Sequence, residues 1–326
     1  MLTKRDLLLA TIAREPTPRL PIALWRHWPV EDHTAEDLAQ ATLTFQARFD
    51  FDFIKLTPSQ VFVAEDLGLR GVYDGNPEGD LVKGPRPIVT LEQWEALAPG
   101  DLTTGALARQ LRCVELTVAG AGDTPVIQTI FNPLTVAACL AGERALLWRR
   151  QHPTIFQRGF NTIIATWRAF VTATLAAGAA GIFFSTADAT YRSMDEAEYR
   201  RWGCPADLAV LEAAASGWFN VLHVHGNDLM LPLVADYPVH VVNWDDRRAG
   251  PSLREGQALV RGAVAGGLAQ WDELLQGSAE AVQAQVADGI SQTGGRGYLV
   301  APGCVMPIPT PERNIRAALA AARTAR

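Results

Sequence analysis

The chain has 326 residues, 48% of them hydrophobic and 20% charged, with a formal net charge of −6. That length and apolar share allow one large buried core, and mild acidity without a basic block removes the electrostatic case for nucleic-acid binding. The longest apolar run, residues 170–185, is interrupted by Gly178 and Gly181 and is too short for a membrane span. Cys113, Cys139, Cys204 and Cys304 show no paired spacing, and the N-terminal residues carry no signal-peptide pattern. Reduced thiols in a cytoplasmic protein are therefore expected.

Strand-like and helix-like segments alternate from end to end, the pattern of a parallel α/β sheet. A helix over residues 4–14 precedes the first strand, 21–25. A helix over 35–48 leads to the second strand, 53–56, and a Gly/Pro-rich passage from 57 to 87 reads as excursion loops. Helices at 91–96 and 102–118 lead to the third strand, 125–131. Asn132-Pro133 opens another helix, and His152-Pro153 precedes a long one reaching Ala176. The fourth to eighth strands are 181–186, 219–225, 239–244, 263–268 and 298–300, with helices over 253–261 and 279–291 between the later ones. A final helix is predicted with Thr310 as N-cap and Pro311 at its first position. Eight strands in this alternation predict an α/β protein with a (β/α)8 TIM barrel, a single domain over residues 1–326.

Chemistry in such barrels is built where strands end and loops begin. Two of these ends stand out. His223 and His225 close the fifth strand, and residues two apart on a strand share a face, so both imidazoles point the same way. Cys304 follows the eighth strand. Two nitrogens and one sulfur at one barrel mouth make a three-ligand set with room for a fourth, the arrangement of a catalytic zinc site.

The other strand ends are less specific. Arg26, between Trp25 and His27, reads equally as a cation stacked on indoles or as an anion site at the mouth. Asp188, Asp245 and Asp246 read as helix N-caps or as acids in the site. Cys113, Cys139 and Cys204 fall in helix-like segments and read as packing residues. His240 enters a strand and is expected to pack, while His27, His33 and His152 are isolated.

Several motifs together resemble the uroporphyrinogen decarboxylase superfamily. Asn132-Pro133-Leu134-Thr135 is similar to its Gly-Pro-[Phe/Leu]-Thr turn, and Gly178-Ala179-Ala180-Gly181-Ile182 to its Gly-Ala-Asp stretch. Ala265-Gly266-Gly267-Leu268 with Leu274-Leu275-Gln276-Gly277-Ser278 is similar to a second glycine-rich segment. Gly303-Cys304-x-x-Pro307-x-Pro309-Thr310-Pro311-Glu312-x-Asn314 resembles the C-terminal motif. The superfamily comprises (β/α)8 barrels, including the haem-pathway decarboxylase and zinc methyltransferases that move methyl groups from corrinoid proteins to thiols.

Two departures separate the branches. The decarboxylases carry an Arg-Gln-Ala-Gly-Arg element where this chain has Trp25-Arg26-His27-Trp28-Pro29, so one arginine survives. They also end on histidine where this chain has Cys304. The methyltransferases use His-x-Cys and a C-terminal cysteine as zinc ligands, which His223 and Cys304 match while His225 replaces the middle cysteine. The resemblance thus implies Zn2+ on His223, His225 and Cys304, a small-molecule thiol or methylated substrate, and a methyl-corrinoid supplied by a partner protein. Arg26, Asp188 and Asp245 are the accompanying candidates for catalysis. The alternative is a metal-free tetrapyrrole decarboxylase gripping carboxylates with Arg26, Lys55 and Arg247 or Arg248, with Asp188 or Asp245 as the acid, or a barrel that binds a tetrapyrrole or corrinoid without turnover. Family members include dimers, so a homodimer is also implied, although no segment marks an interface.

Overall fold

A computed structural model describes residues 2–325. Among them, seven parallel strands pair in strict chain order. They are β1 (Ile54–Leu56), β2 (Val126–Phe131), β3 (Gly181–Thr186), β4 (Val221–Val224), β5 (Val241–Trp244), β6 (Ala263–Leu268) and β7 (Tyr298–Pro302). Nearly every residue on them is buried, as parallel strands covered on both faces require.

The first predicted strand closes the sheet without becoming a regular ladder. Ile22 bridges in parallel to Val300 of β7, with Val300 donating to the Pro21 carbonyl at 2.9 Å and Ala23 to the Val300 carbonyl at 3.2 Å. On its other side the Ile22 carbonyl accepts from the Asp52 amide at 3.0 Å. Pro21 has no N–H to give, and the Ile22 N–H goes to the Asp52 carboxylate at 2.8 Å instead of a neighbouring carbonyl. Asp52 is in turn held by Arg19 through two bonds of 2.8 and 2.5 Å. All eight predicted staves are therefore present, the first as a bridge, and the architecture is a (β/α)8-type barrel.

The helices follow their start signals closely. Thr34 and Ser278 cap Ala35–Phe49 and Ala279–Thr293, and Asn132 caps Pro133–Ala141 with proline at its first turn. The last helix corrects the prediction. It runs Glu312–Thr324 with Pro311 in the N-cap position, and Thr310 donates its hydroxyl to the Pro307 carbonyl at 2.7 Å, so it does not cap. Four helices lie beyond those delimited from sequence, the single turns Leu231–Val234 and Glu273–Gln276 and the longer Glu143–Gln151 and Glu196–Ala213. Glu196–Ala213 holds Pro205 in its interior, a residue that reads as a helix breaker on sequence alone.

The loops after β1 contain a 3-10 helix, Gln60–Leu67, and a two-stranded ribbon pairing Gly71–Val72 with Val82–Lys83. One hydrophobic cluster runs from Leu8 to Ala322. Within it Trp25, Phe53, Phe183 and Phe219 pack edge-on or tilted inside the barrel, below the mouth. No helix among the described residues is long and apolar enough to cross a membrane.

Gly267 shows how tightly β6 is placed. Its φ of +94° is a conformation L side chains rarely adopt, and a Cβ there would lie 2.1 Å from the Tyr298 hydroxyl. Gly267→Ala is expected to cost at least about 2 kcal/mol, through backbone strain and overpacking together. An unchanged denaturation midpoint would refute this.

Candidate metal centre

His223 lies on β4 with its side chain 4% exposed, paired in register with Asn243 on β5. The Asn243 amide NH2 is committed to two carbonyls, Ala265 at 2.9 Å and Pro302 at 3.1 Å. Its Oδ1 therefore faces His223 Nδ1 at 2.7 Å and accepts a hydrogen bond from it. This sets the tautomer: Nδ1 carries the proton and Nε2 keeps its lone pair. Nε2 is buried and has no hydrogen-bond partner. A buried imidazole nitrogen with no partner is costly unless a ligand completes it.

His225 continues the ladder one step past β4, its amide donating to the Thr186 carbonyl at 2.8 Å. Cys304 sits on the turn after β7, its sulfur 3.5 Å from His225 Nδ1. Donor atoms of His223, His225 and Cys304 all lie within 4.8 Å of one another. Burial works to raise the Cys304 thiol, but the His223 and His225 imidazoles outweigh it and hold the thiol well below its ordinary value. The hydrogen bond to Cys304 pushes His225 up to about 9. Each group thus favours the charged form of the other. A thiolate and two imidazoles, one of them with its nitrogen orphaned, are a three-donor set that fits zinc.

The turn bearing Cys304 is supported from behind. The Gly303 amide donates to Gln270 Oε1 at 3.1 Å, and Gln270 Nε2 donates to the Asp245 carboxylate at 3.0 Å. A Cβ on Gly303 would fall 2.6 Å from the Asp245 Cα, so only glycine lets the turn pass. Two cavities meet at the donor set. One of about 320 Å³ is walled by Trp25, His27, Lys55, Phe131 and Phe183; the other, of about 260 Å³, by Asp245, Arg248, Gln270 and Trp271. Glu78, His223, His225 and Cys304 line both.

The other predicted site residues divide. Asp245 borders the second cavity and caps no helix; its other oxygen accepts from the Arg248 amide at 3.1 Å. Asp188 lies beside the first cavity, bonded to Thr135 Oγ1 at 2.8 Å, and burial raises its carboxyl. Asp246 accepts from the Gly267 amide at 2.8 Å, a structural role. Arg26 is apart from the site. Its guanidinium stacks 4.1 Å from the Trp28 ring centre and reaches the Ile308 carbonyl. Trp25 and His27 face the cavity, and alternation turns the residue between them the other way. Cys113 and Cys139 are buried and Cys204 half-buried, all as free thiols. His240 packs as expected, with Nδ1 accepting from the Asn220 amide.

Sequence reasoning gave no role to Asn243, Glu78 or Gln270. Glu78 is carried on a turn whose signal is Asn76-Pro77-Glu78-Gly79. Asn76 Oδ1 accepts from the Gly79 amide at 2.8 Å, and the Pro77 carbonyl accepts from Ile308 at 2.7 Å. The passage read as excursion loops thus does line the cavity.

The fold and site together define a (β/α)8-type barrel with a three-donor constellation at its C-terminal mouth. The chain belongs to the uroporphyrinogen decarboxylase (URO-D) family, whose model matches residues 3–325. Among solved structures it is similar to a methyltransferase from Methanosarcina mazei, with a TM-score of 0.86 and 20% identity over 99% of this chain and 98% of that one. It is also similar to a B12-independent methionine synthase from Shewanella sp. W3-18-1, with a TM-score of 0.53 and 15% identity over 94% and 93%. GH5_18 from Streptomyces cattleya gives 0.53 and 12% over 94% and 80%. At these identities the likeness establishes the barrel. No curated protein matches.

Proposed function

We propose that the protein is a zinc-dependent methyltransferase, moving a methyl group from a separate corrinoid protein to a small thiol, with the whole chain acting as one catalytic barrel. The carrying observation is the donor set itself: His223 Nε2 buried without a partner, beside His225 and the Cys304 sulfur. The methyltransferase from Methanosarcina mazei, matched over nearly its full length, supports the same reading. Zinc held by these three residues would lower the pKa of a substrate thiol, so that it is present as the nucleophilic thiolate at neutral pH.

The residues of the chain do the rest. Asn243 keeps His223 in the tautomer that presents a lone pair, with no reorganisation on binding. Two neutral imidazoles and one thiolate cancel one of the two charges of a divalent ion, so the site favours an anionic fourth ligand. Asp245 acts as a positioning residue, holding the Cys304 turn through Gln270. Asp188 shapes the rim through Thr135, and Arg26 has no chemical part. Trp25, Phe131 and Phe183 wall the cavity and limit water around the attacking atom.

A tetrapyrrole decarboxylase is less well supported. Apart from His223 and His225 of the donor set, the basic groups on the wall of the larger cavity are Lys55 and His27, beside the carboxylates of Glu78 and Asp80. Arg247 is engaged by Asp246 and Asp288, and Arg248 approaches Asp272. Protein isolated without chelator is expected to carry about one zinc per chain. It should also methylate a thiol from methylcobalamin in a reaction lost on chelation and restored by zinc. Protein that carries and takes up no metal would overturn the reading.

A further inference from the structure

Among the described residues, seven buried side-chain nitrogen and oxygen atoms have no hydrogen-bond partner in the protein, and three of them belong to the wall of one cavity. They are Arg26 Nε, Thr42 Oγ1 and Gln46 Oε1. The cavity, of about 20 Å³, lies where Leu24 and Arg26 of the first stave face Phe53 and Ile54 at the start of β1, against the helix Ala35–Phe49. This is the seam of the barrel. The first stave meets the chain entering β1 through Ile22 and Asp52 alone and forms no ladder there.

Thr42 and Gln46 are four residues apart on that helix and share a face. Both are buried, at 5% and 9% exposure. Gln46 Nε2 is committed to the Phe51 carbonyl at 2.9 Å and to Thr124 Oγ1 at 3.3 Å, so Oε1 is fixed as an acceptor with no donor. Arg26 supplies the opposite case. Its guanidinium stacks on Trp28 and gives one N–H to the Ile308 carbonyl, while Nε–H has no acceptor. A buried donor and a buried acceptor left unmet are both costly. An occupant that satisfies them must accept from Arg26 and donate to Gln46. A halide cannot donate and a metal ion cannot accept, whereas a neutral hydroxyl-bearing molecule does both. The space holds about one water and nothing larger.

We propose that one water molecule is built into this seam. It accepts from Arg26 Nε, donates to Gln46 Oε1 and takes Thr42 Oγ1 as its third partner. The water ties the first stave to the helix where no ladder forms, and so steadies the stretch from which Trp25 and His27 wall the mouth cavity. It serves the closure of the barrel and does not rest on the methyl-transfer reading.

A crystal structure of the whole protein that resolves ordered solvent tests this, with bromide replacing chloride in a second crystal. One peak within hydrogen-bond distance of all three atoms, with no anomalous signal from bromide, is expected. An empty cavity, a bromide ion in it, or side chains rearranged so that the three atoms pair directly would overturn the proposal. Thr42→Val gives an independent reading by sign. Removing one partner of a bound water should lower Tm by about 2 °C. In a dry cavity valine removes an unmet hydroxyl, so a Tm that holds or rises would also overturn the proposal.

Discussion

Replacing Cys304 by serine is expected to leave a folded protein that no longer holds zinc. The residue lies on a turn at the barrel mouth and is only partly covered, so exchanging sulfur for oxygen opens no cavity in the core. Its contribution is to the site alone. The thiolate is the one anionic donor of the three, and it is held ionised by the imidazoles against the pull of burial. Serine stays protonated at neutral pH and is a poor zinc ligand, leaving two neutral nitrogens. Affinity should fall by more than the roughly 10–100-fold that losing an outer-sphere partner costs. Metal analysis and chelator competition read this directly, with Cys204→Ser as the control thiol. If Cys304→Ser keeps zinc at the affinity of the parent, the sulfur is not a ligand.

Asn243→Ala should act on both stability and metal. The side chain is fully buried and spans three neighbouring strands. Alanine leaves the Ala265 and Pro302 carbonyls and His223 Nδ1 without their partner, a loss of about 2–4 kcal/mol. It also frees the imidazole to rotate and change tautomer, which should weaken zinc binding about 10–100-fold. Asn243→Asp separates the two effects. It keeps an acceptor for His223 but cannot donate to the two carbonyls, so stability should fall while zinc binding survives. Zinc affinity unchanged in Asn243→Ala would remove the second part of this account.

Much of this was legible in the sequence, and what was not has a physical reason. The positions of all eight staves follow from apolar runs and helix signals. That the first would fail to form a ladder depends on where the Asp52 side chain lands, thirty residues further on and outside any local pattern. The parity that puts His223 and His225 on one face is a property of a single strand and was readable directly. The same parity, applied to Trp25, Arg26 and His27, separates Arg26 from the cavity. Asn243 was visible at a strand end, but its role depends on the register between β4 and β5, which no single strand carries. Glu78 comes from a loop, where spacing says nothing about direction. The family motifs carried Cys304 and its glycine; the cause of that glycine, the close passage of Asp245, is a tertiary fact.

The bolt that Asn243 drives through β4, β5, β6 and β7 has a consequence for how the centre is loaded. An imidazole oriented by the barrel's own hydrogen bonds, as His223 is by Asn243, gives up its conformational freedom during folding. Loading is then an exchange reaction on a finished scaffold, unlike that of small domains which fold only around their metal. Stripping and refilling should be reversible at constant secondary structure. A foreign ion such as cobalt(II), whose colour reports its surroundings, can take the same seat and make the centre visible.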